Sequence, residues 1–269
     1  MPKSANHTPR KRFGQNFLID DGIIHAIVNI INPQVNDLLV EIGPGLGALT
    51  RPLLERVAYL HAVELDRDII ARLQAQYPAE RLILHSADAL RFDFAALGND
   101  LRIVGNLPYN ISSPLLFRLM EFAAHIRDMH FMLQREVVAR MVAEPSSHDY
   151  GRLSLMLQRR FHLEWLLDVP PTAFDPAPKV ESAIVRLIPK TLAEIVLLDE
   201  ALFARVVLTA FSQRRKTLRN TLASQLGPED FAHLGIDSGQ RAENLSLSDY
   251  EKITFHLMRQ SNEAFEFAD

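Results

Sequence analysis

Residues 106–110 read Asn-Leu-Pro-Tyr-Asn, directly after the apolar run 101–105 and before a helix-patterned stretch, 111–122. The Asn106 carboxamide oxygen and the Leu107 peptide oxygen stand side by side there as acceptors. Two such acceptors can take both hydrogens of an aromatic amine. The nitrogen then becomes more pyramidal and presents a lone pair otherwise delocalised into the ring, so the help is orientation plus modest electrostatics. A carboxylate base is not the natural remedy, because the amine of neutral adenine holds its protons too tightly. Pro108 fixes the turn that aims the Leu107 carbonyl, and Tyr109 offers a face on which a flipped base can stack. Taken alone, the same residues also read as an ordinary turn with its tyrosine packed in the core.

The second chemical signal is Val-Glu-Ile-Gly-Pro-Gly-Leu-Gly at 40–47. An acid closes a strand, and Gly43, Gly45 and Gly47 let the backbone turn sharply and pass close to a ligand beside a helix N-terminus. Such a loop also serves plain strand-to-helix packing. The next strand ends in Val-Glu-Leu-Asp, placing Glu64 about 20 residues on, where an acid accepts from both ribose hydroxyls. A third strand ends at Asp88, placed to accept from an adenine amino group, and a fourth ends at Asn106. Each acid alone reads as a solvated loop residue or helix cap. Together, four strand ends deliver polar groups to one sheet edge, where open α/β sheets bind ligands.

The elements that must position these groups follow from periodicity. Short apolar runs at 38–42, 60–64, 82–85, 101–105 and 130–134 alternate with amphipathic segments near 47–57, 66–76, 113–124 and 134–143. That pattern predicts a largely parallel, Rossmann-like α/β sheet. A helix is expected at 152–161. Two late runs, 165–169 and 182–188, flank a proline-rich loop and are expected to pair as an antiparallel hairpin at the sheet edge. Beyond about 190 the strand signal ends; helices are expected at 199–213, 214–226 and 247–260, with breaks at 227–231 and 235–246. The expected domains are 1–190, holding the cofactor and catalytic residues, and 191–269, a small all-helical domain that binds RNA.

The loop is Glu-x-Gly-x-Gly-x-Gly, not the dinucleotide form, and an adenine-reading acid follows the third strand. Both features resemble the class I S-adenosylmethionine-dependent methyltransferases, and 106–109 is similar to the strand-end signature of amino-methyltransferases. No P-loop lysine follows the glycines, and no proton donor suited to hydride chemistry stands near the fourth strand. Nearly the whole chain resembles the ribosomal RNA adenine dimethyltransferases, small-subunit type, through 10–20, 41–50, 63–66, 87–90, 105–117, 174–187, 211–222 and 241–246. The resemblance implies N6,N6-dimethylation of two adjacent adenosines in the 3′-terminal hairpin loop of 16S rRNA, on the immature small subunit, with S-adenosylmethionine as cofactor. It also implies cofactor contacts from Gln15, Asn16, Leu18, Gly43, Gly45, Glu64, Asp88 and Asn106. Phe174 reads equally as a second stacking face opposite Tyr109 or as the anchor of the proline-rich loop.

Net charge is −4 over 269 residues, so any nucleic-acid surface must be local. Arg10, Lys11 and Arg12 lie beside the cofactor segment; Arg214, Arg215, Lys216 and Arg219 form an acid-free run. Such runs are commonly solvated helix faces, but beside a site of this kind they fit phosphate contact. With no cysteine, disulfides and thiolate zinc sites are excluded, and the histidines show no metal-ligand spacing. No signal-peptide core or bilayer-spanning run is evident; a cytoplasmic monomer is the expectation. The rival readings are the 23S rRNA resistance-type enzyme, a DNA adenine methyltransferase, and an assembly checkpoint factor that does not need catalysis.

Overall fold

The structure is a computed structural model that describes residues 16–108 and 110–266, without the side chains of 261–266. Arg10, Lys11, Arg12, Gln15 and Tyr109 therefore lie outside the described residues. The described chain begins with β1 (Phe17–Leu18) and α1 (Asp21–Ile31). Asp20 caps that helix, its Oδ1 accepting from Ile23 N at 3.0 Å. Ile24, Ile27, Val28 and Ile31 recur at helical spacing and bury one face.

Next come β2 (Leu39–Ile42), α2 (Thr50–Leu54), β3 (Leu60–Glu64), α3 (Arg67–Gln76), β4 (Leu82–Ser86), β5 (Leu101–Asn106) and α4 (Ser112–Met120). They are followed by β6 (Ile126–Gln134), α5 (Arg135–Val142), α6 (Arg152–Arg160), β7 (Phe161–Val169), β8 (Phe174–Asp175) and β9 (Ser182–Pro189). Seven strands form one sheet in the order β4-β3-β2-β5-β6-β9-β7. β4, β3, β2, β5 and β6 are parallel neighbours, and β9 runs antiparallel to β6. β9 and β7 are neighbours at the edge, where the late pair was expected. β2 and β5 are buried along almost their whole length, as a parallel sheet covered on both faces requires.

The chain divides into two compact units. One comprises the described residues through Val138 together with His162–Pro189; the other comprises Ala139–Phe161 and the described residues from Lys190 onward. Residues 139–161 thus group with the helical part and not with the sheet. The first unit's core gathers Leu39, Leu53, Leu60, Ala62, Leu73, Val104 and Ile184, each at most 1% exposed. Burial of one such leucine contributes about 1.5–3 kcal/mol.

The second unit is completed by α7 (Glu200–Ala210), α8 (Leu218–Thr221), α9 (Pro228–Leu234) and α10 (Leu247–Glu266). α7 packs against α10 and α6. Buried Arg159 is held by Glu251 at 2.7 Å and Glu200 at 3.1 Å, and Tyr250 donates its hydroxyl to Ala242 O at 2.8 Å. The expected helix over 214–226 shrinks to α8. The expected break at 227–231 is instead the start of α9: Pro228 needs no N–H in the first turn, and Asp230 accepts from Gly227 N at 2.7 Å. The sequence places 126–129 outside any strand, yet β6 starts at Ile126. Its early charges are paired within the fold, Asp128 with Arg102 and the partly exposed Arg127 with Asp37, each at 2.8 Å. Among the described residues, no helix is long and apolar enough to cross a membrane.

Candidate active site

The switch in strand order lies between β2 and β5: the chain leaves β2 toward β3 and β4, and leaves β5 toward β6. Open α/β sheets bind ligands at the carboxyl ends of such strands. A cleft of about 360 Å³ opens there, and Asn16, Leu18, Gly43, Gly45, Glu64, Asp88, Asn106, Leu107, Pro108 and Phe174 all line it.

Gly43, Gly45 and Gly47 have φ of +67°, +55° and +89°, backbone conformations that glycine adopts without strain. A Cβ added to Gly43 would meet nothing within 4 Å, so this loop leaves open space on its ligand side. Gly43 N–H donates to Val63 O at 2.9 Å, tying the loop to β3. Gly105 has a different constraint. Its Cβ would lie 2.6 Å from Ile42 O, so only glycine lets β5 press against the end of β2.

Glu64 Oε1 accepts from Leu65 N and Asp66 N, both at 2.8 Å. Burial pushes its carboxyl above the ordinary range, while N–H donors from Asp66, Leu65 and Gly45 oppose that rise. Asp88 Oδ1 accepts from Leu90 N at 2.9 Å, which fixes its turn just past β4. Asn106 Nδ2 donates to Asn16 O at 3.3 Å. A main-chain carbonyl can only accept, so this contact assigns the amide's orientation and leaves Oδ1 as the accepting end. Leu107 N–H is taken by Met132 O at 3.1 Å, and Pro108 O closes a turn with Ile111 N at 3.1 Å.

Phe174 is 4% exposed, belongs to the core cluster and also lines the cleft. It arrives there because β8 pairs with β1, Leu18 opposite Phe174. The stretch read as a loop before α1 thus carries a two-residue strand. Arg214, Arg215, Lys216 and Arg219 belong to the helical unit, and all four are exposed. Arg214 is engaged there, its Nε 3.3 Å from Glu243 Oε2 and its Nη2 donating to His148 O.

In the sequence Glu41 reads only as the acid that closes a strand. It lines the floor of the cleft, is 2% exposed and accepts from the Thr50 hydroxyl at 2.7 Å. Burial raises its pKa to about 7; the Thr50 bond lowers it and nearby Glu64 adds to the rise. Phe17, Asp66, Asn110 and Ile111 also line the cleft without having been singled out. The signal for Glu41 is its place two residues before Gly43, on an otherwise apolar strand. Among the described residues no group of three or more His, Asp or Glu side chains is arranged to hold a metal.

The sequence profile described as "Ribosomal RNA adenine dimethylase" matches residues 6–258. The chain is 75% identical over 251 residues to the ribosomal RNA small subunit methyltransferase A of Thiobacillus denitrificans, covering 93% of this chain and 98% of that one. It is 60% identical over 253 residues to the protein of the same name from Nitrosospira multiformis, covering 94% and 98%. Among solved structures, a dimethyladenosine transferase from Plasmodium falciparum superposes with a TM-score of 0.79 at 24% identity, covering 91% and 98%. The 23S rRNA methyltransferase ErmE does so at 0.69 and 24%, covering 90% and 99%. These superpositions show the α/β fold of class I methyltransferases. The chain belongs to the ribosomal RNA adenine dimethylase family.

Proposed function

We propose that this chain is an S-adenosylmethionine-dependent methyltransferase that dimethylates N6 of two adjacent adenosines in the 3′-terminal hairpin loop of 16S rRNA. The observation that carries the chemistry is Asn106, whose NH₂ end is committed to Asn16 O at 3.3 Å while its Oδ1 remains to accept, in the cleft shared with the glycine loop. The small-subunit assignment rests on relatives named ribosomal RNA small subunit methyltransferase A over nearly the full chain.

The cleft fits the cofactor. The open face at Gly43 admits its main body, Glu64 is placed for the ribose hydroxyls, and Asp88 for the adenine amine. When bound, S-adenosylmethionine supplies a methyl group on a sulfonium. Asn106 Oδ1 and the Leu107 carbonyl hold the two hydrogens of the target amine, so the nitrogen lone pair faces that methyl. The Pro108 turn keeps the carbonyl aimed, and Phe174 with Tyr109 supplies stacking for the extruded base. The bound cofactor would supply its methyl group to that nitrogen, which would then release a proton to solvent; a second round would give the dimethylated base. Arg10, Lys11, Arg12, Arg215, Lys216 and Arg219 contact rRNA phosphates. The substrate in this reading is the immature small subunit, met in the cytoplasm by a monomer.

The test is incubation with labelled S-adenosylmethionine and under-methylated small subunits, followed by mapping of the modified nucleotides. Label at two neighbouring adenines near the 3′ end of 16S rRNA is expected. Label only on large-subunit RNA or on DNA would overturn the assignment, and binding to small subunits without label would favour a non-catalytic assembly role.

A further inference from the structure

The segment ahead of α1 is short, yet it touches three sides of the cleft. Ile19 N–H and Asp20 N–H both donate to Ala173 O, at 2.8 and 3.3 Å, extending the β1–β8 pairing. Phe17 lies over the glycine loop, its ring carbons 3.4 Å from where a Cβ on Gly45 would stand. Asn16 O accepts from Asn106 Nδ2. One stretch of main chain therefore closes the cofactor end of the cleft and holds the amine-binding amide. We infer that Asn16–Asp20 is a positioning strap: when seated on Ala173 and Phe174, its Asn16 carbonyl turns Asn106 so that Oδ1 faces the target amine.

This rests on the reading of Asn106 as amine acceptor and adds the cause of its orientation. An unrestrained asparagine amide has two nearly equivalent faces, and the wrong one offers the amine a donor where it needs an acceptor. A misaligned acceptor costs turnover, not cofactor affinity. The 3.3 Å contact is long for a hydrogen bond, as catalytic contacts often are before the ligands enter.

Ile19→Pro removes the N–H that seats the strap, while the side chain it replaces is 57% exposed and outside the core. Ile19→Ala, which keeps the N–H, is the reference. With the full chain, S-adenosylmethionine and under-methylated small subunits, kcat at saturating cofactor should fall roughly tenfold or more in Ile19→Pro relative to Ile19→Ala. The thermal midpoint should stay close to the reference, and saturating cofactor removes from the comparison any loss of cofactor affinity that unseating Asn16 and Leu18 brings. A raised cofactor KM with kcat at the reference rate would overturn the inference and leave the strap a cofactor contact alone. If Ile19→Pro does not fold, the wild-type protein decides. The Asn106 side-chain NH₂ resonance, assigned by its loss in Asn106→Ala, should exchange with solvent more slowly than exposed amides. Fast exchange would overturn the inference. Failure of the amine-acceptor reading is separable, because it shows as unchanged turnover in Asn106→Ala, whatever Ile19→Pro does.

Discussion

Asp37 and Glu41 stand four residues apart at opposite ends of β2, both nearly inaccessible, at 5% and 2% exposure, and the fold treats them oppositely. Asp37 receives Gln34 N at 2.8 Å, Arg102 Nη1 at 2.7 Å and Arg127 Nη1 at 2.8 Å. Arg102 in turn grips Asp128 and donates to Ile31 O, and Arg127 reaches Asp100. Burial alone pushes the Asp37 carboxyl up, but the Gln34 N–H and the two guanidiniums outweigh it and hold it below the usual range. Glu41 has the Thr50 hydroxyl and no arginine in its hydrogen bonding, and burial drives it to about 7. The end of the sheet away from the cleft saturates its buried charge. The end that lines the cleft leaves two acids, Glu41 and Glu64, raised by burial.

If that division of labour holds, the largest effects should separate cleanly. Arg102→Ala leaves Asp37 and Asp128 buried without their shared counter-charge, at a cost of about 3–5 kcal/mol. The measurement is the denaturant midpoint; the folded fraction should still turn over at the parental rate. Asn106→Ala does the converse. Turnover should fall roughly 10²–10³-fold, with stability within about 1 kcal/mol of the parent. Unchanged turnover in Asn106→Ala would end the amine-acceptor reading. A turnover defect in Arg102→Ala at full folding would show that the far end also tunes the site.

The cleft end was the legible one. Glycines, strand-ending acids and Asn106 sit at spacings set by the backbone itself, so one pass along the chain places them. The saturated end could not be read this way. Arg127 and Asp128 look like solvent-facing charges ahead of a strand, and only the pairing of Asp128 with Arg102 across β5 and β6 makes 126–129 part of the sheet. The β1–β8 pair is two residues long, too short for any alternation to register, so the segment read as a loop. Glu41 was visible as a residue but not as a buried acid, because burial is a property of the neighbours.

The two acids also predict opposite pH dependences. Between the usual glutamate value of 4.5 and about 7, folded Glu41 keeps a proton that the unfolded chain has lost. Stability therefore falls as pH rises through that window, by up to about 1.4 kcal/mol per pH unit, and the full penalty stands above it. Glu41→Gln should gain on the order of 1–3 kcal/mol at pH 8 and little near pH 4.5. Asp37, with its depressed value, contributes stability that is present above the usual 3.8 and lost as pH falls through its folded pKa. Asp37→Asn should cost stability at neutral pH and progressively less in acid. Denaturation curves over a pH series distinguish the two; the same sign for both variants at pH 8 would erase the contrast.

The contrast recurs on a smaller scale among the arginines of the helical unit. Arg159 is buried, pinned by Glu200, Glu251 and Val196 O, and stacked 4.9 Å over Phe203. Arg215 and Lys216 are exposed. Each phosphate contact steepens the salt dependence of nucleic-acid binding by roughly 0.7–0.9 in the log–log slope. Arg215→Ala with Lys216→Ala should therefore flatten that slope by about 1 to 2 units for small-subunit particles, with stability within about 0.5 kcal/mol and cofactor affinity unchanged. Arg214 sharpens the case, because its guanidinium already serves Glu243 and His148 O. If it is only a brace between those segments, Arg214→Ala leaves the slope alone and costs up to about 1 kcal/mol of stability. A slope change equal to that of Arg215 would mean that the ion pair opens to take a phosphate.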